Sequence, residues 1–248
     1  MSKCLIVTGG GRGIGAEVSR KAAKQGYSVC VNFHRDQTSA QKLVRELEEN
    51  GANALAYQAD VSREEEVEAL FETVEKDLGT PEALVNNAGI LDLQTRVDGM
   101  NAERIQRIFA VNVTGSFLCA REAVKRMSTK YGGKGGSIVN LSSGAAKYGS
   151  PGEYVDYAAS KAAIDTLTIG LANEVAEEGI RVNAVRPGFI DTEIHQSGGE
   201  PDRMERVRPL VPMKRVGQAE EVADAIMWLL SDKASYTTGT ILDVSGGR

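Results

Sequence analysis

The 248-residue sequence is poor in the residues from which disulfide frameworks and metal sites are built, with three cysteines and two histidines. Cys4, Cys30 and Cys119 show no Cys-x-x-Cys spacing, so we expect buried thiols in a reducing compartment rather than disulfides. His34 and His195 lie far apart, with no acidic cluster at ligand spacing. A zinc site is therefore not expected.

Long apolar runs and an excess of positive charge are also missing. No stretch of about 18 apolar residues occurs, and the opening MSKCLIVTGG lacks the apolar core of a signal peptide. The net charge is −5, which disfavours nucleic acid or an anionic membrane as the main partner. We therefore expect a cytoplasmic protein that binds neither.

Short apolar runs alternate with segments of helical periodicity along the chain. The runs are 5–8, 28–33, 54–58, 83–87, 137–142, 180–186 and 240–244. The helical segments are 14–25, 37–50, 64–77, 101–128, 154–177 and 218–231. Because the runs lack polar alternation, they predict strands buried on both faces of a parallel sheet. The pattern predicts one doubly wound, Rossmann-like α/β domain over 1–248, with about seven strands, helices on both faces and an irregular segment at 188–217.

A glycine-rich loop, TGGGRGIG at residues 8–15, connects the first predicted strand to the first helix. Glycines there let the backbone approach a pyrophosphate, while the helix N-terminus offers N–H donors and a positive dipole. Any tight turn also favours glycine. The position of the loop in the first βα unit is what predicts a dinucleotide site.

The end of the second predicted strand bears on which dinucleotide binds. An acid there would bond the ribose of NAD, but the recognition position is Phe33. Arg35 follows and Arg12 lies in the glycine loop, and two guanidinium groups suit a 2′-phosphate. Both could instead be solvated loop arginines, and Asp36 keeps NAD open as a minor option. We predict NADP.

Six motifs, in order along essentially the whole chain, resemble those of the short-chain dehydrogenase/reductase family. They are TGGGRGIG (8–15), NNAG (86–89), Asn112 in VNVTG, Ser143 in NLSS, Tyr157-x-x-x-Lys161, and Pro187-Gly188 followed by Thr192. Within the family, PGEYVDYAASKAAIDTL and the tail resemble bacterial sugar-dehydrogenase-like and 3-oxoacyl-carrier-protein-reductase-like members. The resemblance implies an oxidoreductase that interconverts a carbonyl and a secondary alcohol of a small molecule.

The resemblance also implies catalytic roles. Tyr157 would be the general acid in carbonyl reduction and the base in alcohol oxidation. Lys161, four residues on and on the same helix face, would lower the pKa of Tyr157 and hold the nicotinamide ribose. Ser143, rather than its neighbour Ser142, would bond the substrate oxygen. Asn112 would hold a water linking Lys161 to solvent, cap a local kink in its helix, or do both.

The segment between Ser143 and Tyr157 is one residue longer than in many members of the family. This predicts a bulge or turn within 144–153, which contains three glycines and a proline. Tyr154 has no lysine four residues on, so we assign it to packing or to the rim of the substrate site.

Cofactor contacts follow from the same resemblance. Asp60 would lie beside the adenine, although Ser62 with Glu65 could instead cap the next helix. Asn87, Ala88 and Gly89 would lie under the ribose and pyrophosphate. The implied contacts are Gly9, Arg12, Gly13, Ile14, Gly15, His34, Arg35, Asp60, Val61, Asn87, Ala88, Gly89, Tyr157, Lys161, Pro187, Gly188, Ile190 and Thr192.

The remaining expectations concern the substrate and assembly. The region of about 189–215 would cover the substrate with Phe189, Ile190, Ile194, Met204 and Leu210. The basic segment 121–134 would dock an acyl carrier protein or complement a helix dipole. The family implies a homotetramer formed through two long helices and the last strand. A 3-oxoacyl-carrier-protein reductase and a non-catalytic dinucleotide sensor stay open as alternatives.

Overall fold

A seven-stranded parallel sheet organises the computed structural model, which describes residues 2–192 and 203–248. Its strands are β1 Cys4–Val7, β2 Ser28–Phe33, β3 Ala54–Gln58, β4 Pro81–Asn86, β5 Gly136–Leu141, β6 Ile180–Pro187 and β9 Ile241–Val244. The short strands β7 Ile190–Asp191 and β8 Gly217–Gln218 pair separately. The α-helices are α1 Gly13–Lys24, α2 Gln37–Glu49, α3 Glu64–Asp77, α4 Ala102–Phe109, α5 Gly115–Met127, α6 Ala145–Tyr148, α7 Val155–Val175, α8 Arg203–Val207 and α9 Ala219–Leu230.

The strand order, β3-β2-β1-β4-β5-β6-β9, reverses between β1 and β4. Doubly wound sheets bind ligands outside the carboxyl ends of their strands at such a reversal. The glycine loop follows β1, the NNAG motif spans the end of β4, and Ser143 follows β5. The predicted α/β sheet of about seven strands is confirmed, and it brings these three segments to one edge.

Helices cover both faces of the sheet. Helices α1, α2 and α9 pack on one face, and α3, α5 and α7 pack on the other. Every side chain of β1 and β2 is buried, which explains why these strands lack polar alternation. Burial of each large aliphatic side chain in such a core contributes roughly 1.5–3 kcal/mol.

The cysteines behave as the sequence predicted. Cys4 in β1, Cys30 in β2 and Cys119 in α5 are buried free thiols. Burial raises the pKa of Cys4 and of Cys119 to about 12, so the reactive thiolate is suppressed at neutral pH.

A chain of buried amides ties α7 to the sheet. The Asn86 side chain of β4 donates to the Asn140 side chain of β5 at 3.0 Å. Asn140 in turn donates to the Thr168 hydroxyl of α7 at 2.9 Å. Because unpaired polar groups are costly in a core, this chain favours one placement of α7 relative to β5.

The segment 101–128, predicted as one helix, consists of α4, a π-helical turn at Ala110–Thr114 and α5. A π turn adds a residue to one helical turn and is often found at functional sites. Asn112 lies within it, but its side chain bonds Ile90 and Ser160 rather than capping the helix backbone, so the predicted capping of a kink by Asn112 is wrong.

The segment 188–217, predicted to be irregular, contains secondary structure where it is described. It includes β7, α8, a 3₁₀ turn at Arg208–Leu210 and β8. These elements are two to five residues long, which is too short for a periodic sequence pattern. They form because of contacts such as the bond from the Gly217 N–H to the Phe189 carbonyl, at 2.9 Å.

Candidate active site

The glycine loop 8–15 lies against the segment that follows β4. A Cβ on Gly9 would lie 3.1 Å from Ala88 Cα, and one on Gly15 would lie 2.7 Å from Asn87 Nδ2. The Asn87 side chain donates to two carbonyls of the loop, each at 2.9 Å. The two segments therefore approach more closely than side chains would permit, which leaves a backbone-lined cradle.

Helix α1 begins at this cradle without a side-chain cap and without an acid in its first turn. Its first N–H groups and the positive end of its dipole are therefore suited to an anion. Gly13, with φ of 52°, starts the helix, and a Cβ there would face Thr192 Cγ2 at 3.5 Å. The loop, Asn87 and Thr192 fit the pyrophosphate of a dinucleotide.

Arg12 and Arg35, both exposed, flank the start of α2. Asp36 caps this helix by accepting from the Ser39 N–H at 3.0 Å. The bonds from Ser39, with a contribution from the charge of Arg12, lower the pKa of Asp36. One carboxylate oxygen of Asp36 is thus engaged as a helix cap, while Phe33 at the end of β2 is buried.

Asp60 follows β3 and accepts bonds from the Ser62 N–H at 3.0 Å and hydroxyl at 2.7 Å. Burial opposes its charged form, but these bonds prevail and the pKa of Asp60 is lowered. His34 Nε2 lies 3.6 Å from the other carboxylate oxygen. The predicted Ser62–Glu65 cap is wrong: the Asp60–Ser62 turn holds the Ser62 backbone before the helix, and Arg63 is the N-cap of α3.

Ser143, Tyr157 and Lys161 meet at the carboxyl end of β5. The Ser143 side chain interacts with the Tyr157 phenol and lowers its pKa. Lys161 Nζ lies 5.7 Å from the centroid of the Tyr157 ring and donates to the Leu141 carbonyl at 2.7 Å. The Ser142 hydroxyl instead donates to the Lys161 carbonyl at 3.1 Å. Of the two serines, Ser143 is the one that interacts with the phenol.

Burial governs the titration of this group. It raises the pKa of Tyr157, and the bond from Ser143 and the charge of Arg203 offset only part of the rise. It also lowers the pKa of Lys161 to about 8, against the charge of Asp165. The sequence led us to expect a lowered pKa for Tyr157, but desolvation outweighs the nearby charges. A raised pKa keeps the phenol protonated at neutral pH, as a general acid requires.

Asn112 is fully buried and joins the segment after β4 to α7. Its Oδ1 accepts from the Ile90 N–H at 2.8 Å, and its Nδ2 donates to the Ile90 carbonyl and the Ser160 hydroxyl at 2.9 and 3.0 Å. A Cβ on Gly89 would lie 3.3 Å from Lys161 Nζ and 3.5 Å from Asn112 Oδ1. These contacts fix the surroundings of Lys161, while the water relay stays a prediction.

A buried ion pair holds the start of α7. Arg104 Nε of α4 lies 2.6 Å from Asp156 Oδ2. The other carboxylate oxygen of Asp156 accepts from the Tyr157 N–H at 2.9 Å. Arg104 Nη1 also donates to the Leu93 carbonyl at 2.6 Å. The pair thus connects α4, the segment after β4 and the backbone of Tyr157.

Between Ser143 and Tyr157, helix α6 is followed by a turn with positive φ at Gly149, Ser150 and Gly152. The predicted turn is confirmed, whereas a helix of four residues gives no periodic signal. Tyr154 precedes α7, is 4% exposed and lines the same cavity as Ser143 and Tyr157. Its burial agrees with a packing role, while a place at the rim of a substrate site stays a prediction.

A cavity of about 340 Å³ is lined by Ser143, Tyr157 and Lys161. The expected residues Ile14, Asn87, Gly89, Pro187, Gly188, Phe189, Ile190, Thr192 and Leu210 also line it. Met204 is not among the lining residues, and Ile194 lies outside the described residues. Lining residues that no sequence motif indicated are Tyr148, Glu153, Arg203, Arg206, Val207 and Arg248.

The basic segment 121–134 is largely ion-paired. Arg121 contacts two acids of α3 together with Glu122. Lys125 and Arg126 also contact Glu122, at 2.8 and 2.7 Å. These lysine and arginine charges therefore serve contacts within the chain.

Over 2–192 and 203–248, no three His, Cys, Asp or Glu side chains form a group suited to a metal ion. No helix within those ranges has the length and apolar character needed to cross a membrane.

A glycine cradle suited to an anion, beside a serine, a tyrosine and a buried lysine in one cavity, is typical of dinucleotide-dependent oxidoreductases. Comparison with known proteins agrees. A family model described as enoyl-(acyl carrier protein) reductase matches residues 9–248. The chain belongs to the short-chain dehydrogenase/reductase family and is an oxidoreductase.

Relatives match over nearly the whole chain. The uncharacterized oxidoreductase YgfF of Escherichia coli K12 is 57% identical over 243 residues, which cover 98% of each chain. The 3β-hydroxysteroid dehydrogenase 1 of Eggerthella lenta is 42% identical and covers 99% of this chain and 93% of its own. A solved short chain dehydrogenase from Burkholderia cenocepacia J2315, in complex with NADP, has a TM-score of 0.90 at 30% identity, covering 99% and 97% of the two chains.

Proposed function

We propose that the protein acts as a single catalytic domain and interconverts a carbonyl and a secondary alcohol with NADP. The observation that carries this proposal is that Ser143, Tyr157 and Lys161 line one cavity, with Lys161 Nζ 5.7 Å from the centroid of the Tyr157 ring. When bound, the nicotinamide supplies or accepts the hydride. The side chains of this chain orient the substrate and move the proton.

Tyr157 acts as the general acid in the reducing direction. Its phenol gives a proton to the carbonyl oxygen as that oxygen gains negative charge, and it takes the proton back in oxidation. Ser143 donates a hydrogen bond to the same oxygen. Lys161, with its pKa lowered by burial to about 8, is mostly charged at pH 7 and stabilises the phenolate. Asn112 holds the water through which Lys161 exchanges protons with solvent.

The cofactor is held along the strand ends. The glycines of 8–15 and the start of α1 would hold the pyrophosphate, and Asn87, Ala88 and Gly89 would contact the adenosine ribose. Asp60 and Val61 would contact the adenine. Pro187, Gly188, Ile190 and Thr192 would contact the nicotinamide side, where Lys161 would bond the ribose.

NADP is preferred to NAD because Arg12 and Arg35 bind the 2′-phosphate at the start of α2, beside His34. The engagement of Asp36 as a helix cap supports this choice, as does the NADP complex of the Burkholderia relative. The test is kcat/KM for NADPH against NADH, and a ratio below one contradicts the proposal. Arg12→Gln and Arg35→Gln should each lower kcat/KM for NADPH by about tenfold or more, with NADH little changed.

A panel of ketones, aldoses and acyl thioesters, followed by NADPH absorbance, tests the reaction. Reduction confined to acetoacetyl thioesters would identify a 3-oxoacyl-carrier-protein reductase, although the ion-paired segment 121–134 lends no support to carrier docking. NADPH binding without reduction of any carbonyl would contradict an enzyme and favour a dinucleotide sensor.

We further propose a cytoplasmic homotetramer formed through the long helices and β9. Phe117 on α5 and Ile169 on α7 support it, because these large apolar side chains are 50% and 48% exposed and a helix interface would cover them. Sedimentation equilibrium should give four times the chain mass, and a monomer would contradict the assembly.

A further inference from the structure

Five side chains of the substrate cavity form an alternating stack of aromatic rings and guanidinium groups, here termed the aromatic–arginine wall. In order, they are Tyr154, Arg203, Phe189, Arg248 and Tyr148. Arg203 Cζ lies 5.1 Å from the centroid of Tyr154 and 5.7 Å from that of Phe189. Arg248 Cζ lies 4.8 Å from Phe189 and 5.3 Å from Tyr148. All five residues line the cavity.

Arg248 is brought to the wall by a defined turn after β9. Gly246 and Gly247 have φ values of 65° and 93°, the left-handed conformation that glycine adopts without strain. The Gly246 carbonyl accepts from the Met213 N–H at 3.1 Å. The Ser245 hydroxyl donates to the Arg248 carbonyl. These contacts hold the tail against the cavity.

The wall gives the cavity an excess of positive charge. Glu153, which bonds Arg203 and Arg206 at 2.7 and 2.9 Å, is the one acid among the described lining residues. The cationic lining residues are Lys161, Arg203, Arg206 and Arg248.

One donor of the wall has no partner within the described ranges. Arg248 Nη1 is buried, and no described group accepts a hydrogen bond from it. A buried donor on a charged group without an acceptor is unfavourable. Stacking occupies the face of a guanidinium and leaves its N–H edge available for a planar anion. Arg248 is therefore built to accept an anionic oxygen from a ligand.

We infer that the substrate carries a carboxylate or phosphate group, which Arg248 binds while Ser143 and Tyr157 hold the reacting oxygen. This inference rests on the proposed carbonyl–alcohol function. The charge of Arg203 already reaches Tyr157, so the wall lies close to the reacting atoms. The substrate class is thus a small oxo or hydroxy compound whose anionic group lies near its reacting carbon.

Matched pairs of ketones test the inference: acetoacetate with methyl acetoacetate, and dihydroxyacetone phosphate with dihydroxyacetone. With NADPH, we expect kcat/KM for the charged member of at least one pair to be about tenfold or more above its neutral partner. Arg248→Gln should remove that advantage, so that kcat/KM for the charged and the neutral member of the pair differ by no more than about twofold. Arg248→Lys should keep part of the advantage, because the positive charge remains while the paired N–H donors of the guanidinium are lost. Arg45→Gln, on the exposed face of α2, is the matched control.

Isothermal titration of each anion into the enzyme–NADP⁺ complex separates this inference from the proposed reaction. Binding that Arg248→Gln abolishes supports the inference even without turnover, in which case the proposed reaction is the part that fails. The two anions distinguish a carboxylate site from a phosphate site. Failure of both anions to bind, equal use of charged and neutral ketones, or an Arg248→Gln variant that behaves as wild type would overturn the inference.

Discussion

The proposed cofactor half and the proposed substrate half of the site are built in different ways. The proposed cofactor half consists mainly of backbone and small residues in contiguous segments, 8–15 and 86–89, that follow neighbouring strands. The proposed substrate half consists of long side chains, such as Tyr148, Phe189 and Arg248, from segments far apart in the chain. A shared cofactor demands fixed local geometry, whereas a substrate can be recognised by side chains from any segment that reaches the cavity.

The two halves meet at α7. Tyr157 and Lys161 face the cavity from this helix, and buried polar contacts from α4, β4 and β5 hold the helix in place. Substitutions in the proposed cofactor half should therefore change dinucleotide binding, and those in the proposed substrate half should change the choice of substrate. Substitutions at α7, where the halves meet, should affect both stability and catalysis.

The largest effect on stability is expected for Asp156→Asn at the start of α7. The substitution leaves Arg104 buried without a charged partner, and breaking a buried pair in this way costs about 3–5 kcal/mol. Urea denaturation should show this loss in the free energy of unfolding. Turnover should also fall, because the Tyr157 N–H loses a charged acceptor. A loss below about 1 kcal/mol, as at an exposed pair, would contradict the structural role of the pair.

Lys161→Met should raise stability while impairing turnover. Burial lowers the pKa of Lys161 from 10.5 to about 8, so the unfolded chain binds more protons than the folded chain between these values. The folded protein therefore carries a penalty of about 3 kcal/mol that is complete below pH 8 and disappears by about pH 10.5.

Urea denaturation of Lys161→Met and of wild type, at pH 7 and pH 10.5, tests whether this stability penalty disappears as the pH rises. The variant should be more stable at pH 7 by up to about 3 kcal/mol, with the advantage vanishing at the higher pH. Lys24→Met, at an exposed position of α1, is the control and should show no such pH dependence. An advantage equal at both pH values would show that the ammonium is not the source.

Gly15→Ala tests the cofactor half. The added Cβ would lie 2.7 Å from Asn87 Nδ2 and from the Gly9 carbonyl, and overpacking of this kind costs typically 1–3 kcal/mol. NADPH affinity should fall by about tenfold or more, because the cradle must widen. Ala23→Gly, in the same helix and outside the cradle, should lose about 0.5–1 kcal/mol of stability with unchanged affinity. Equal NADPH affinities for the two variants would contradict the role of the glycine cradle in cofactor binding.

Glu64→Gln, outside both halves of the site, shows the effect on stability of losing an exposed ion pair. Its exposed pair with Arg121 is backed by Glu68 and Glu122 on the same guanidinium. The free energy of unfolding should change by less than about 0.5 kcal/mol, with turnover unchanged. A loss comparable to that of Asp156→Asn would mean that exposure does not distinguish the two ion pairs.

The sequence predicted those parts of the fold that follow from a local pattern, such as an apolar run or a glycine-rich turn. SVCVNF reads as a buried strand and forms β2, and the glycine loop lies where the first βα unit places it. The π turn at Asn112 could not be predicted, because one additional residue in a helical turn leaves the apolar periodicity of 101–128 nearly intact. The elements β7, α8 and β8 were missed because they depend on tertiary contacts.

In the candidate site, too, the sequence predicted features that depend on local spacing and missed those that depend on tertiary contacts. The spacing of Tyr157 and Lys161 placed both on one face of α7, and the choice of Ser143 over Ser142 came from the resemblance alone and stays a prediction. The predicted direction of the Tyr157 pKa shift was wrong, because burial cannot be read from spacing. Arg248 was missed because its role depends on stacking against Phe189 and Tyr148, although Gly246-Gly247 signalled the turn that places it.

The most direct test is a pair of measurements on Tyr157→Phe: the Kd for NADPH and the rate of NADPH-linked carbonyl reduction. The phenyl ring keeps the packing of the tyrosine and removes only the proton donor. We predict a Kd within about twofold of wild type and a rate reduced by about 10²–10⁴. Retention of the full rate, or loss of NADPH binding in proportion to the rate, would contradict the assignment of Tyr157 as the general acid between the two halves.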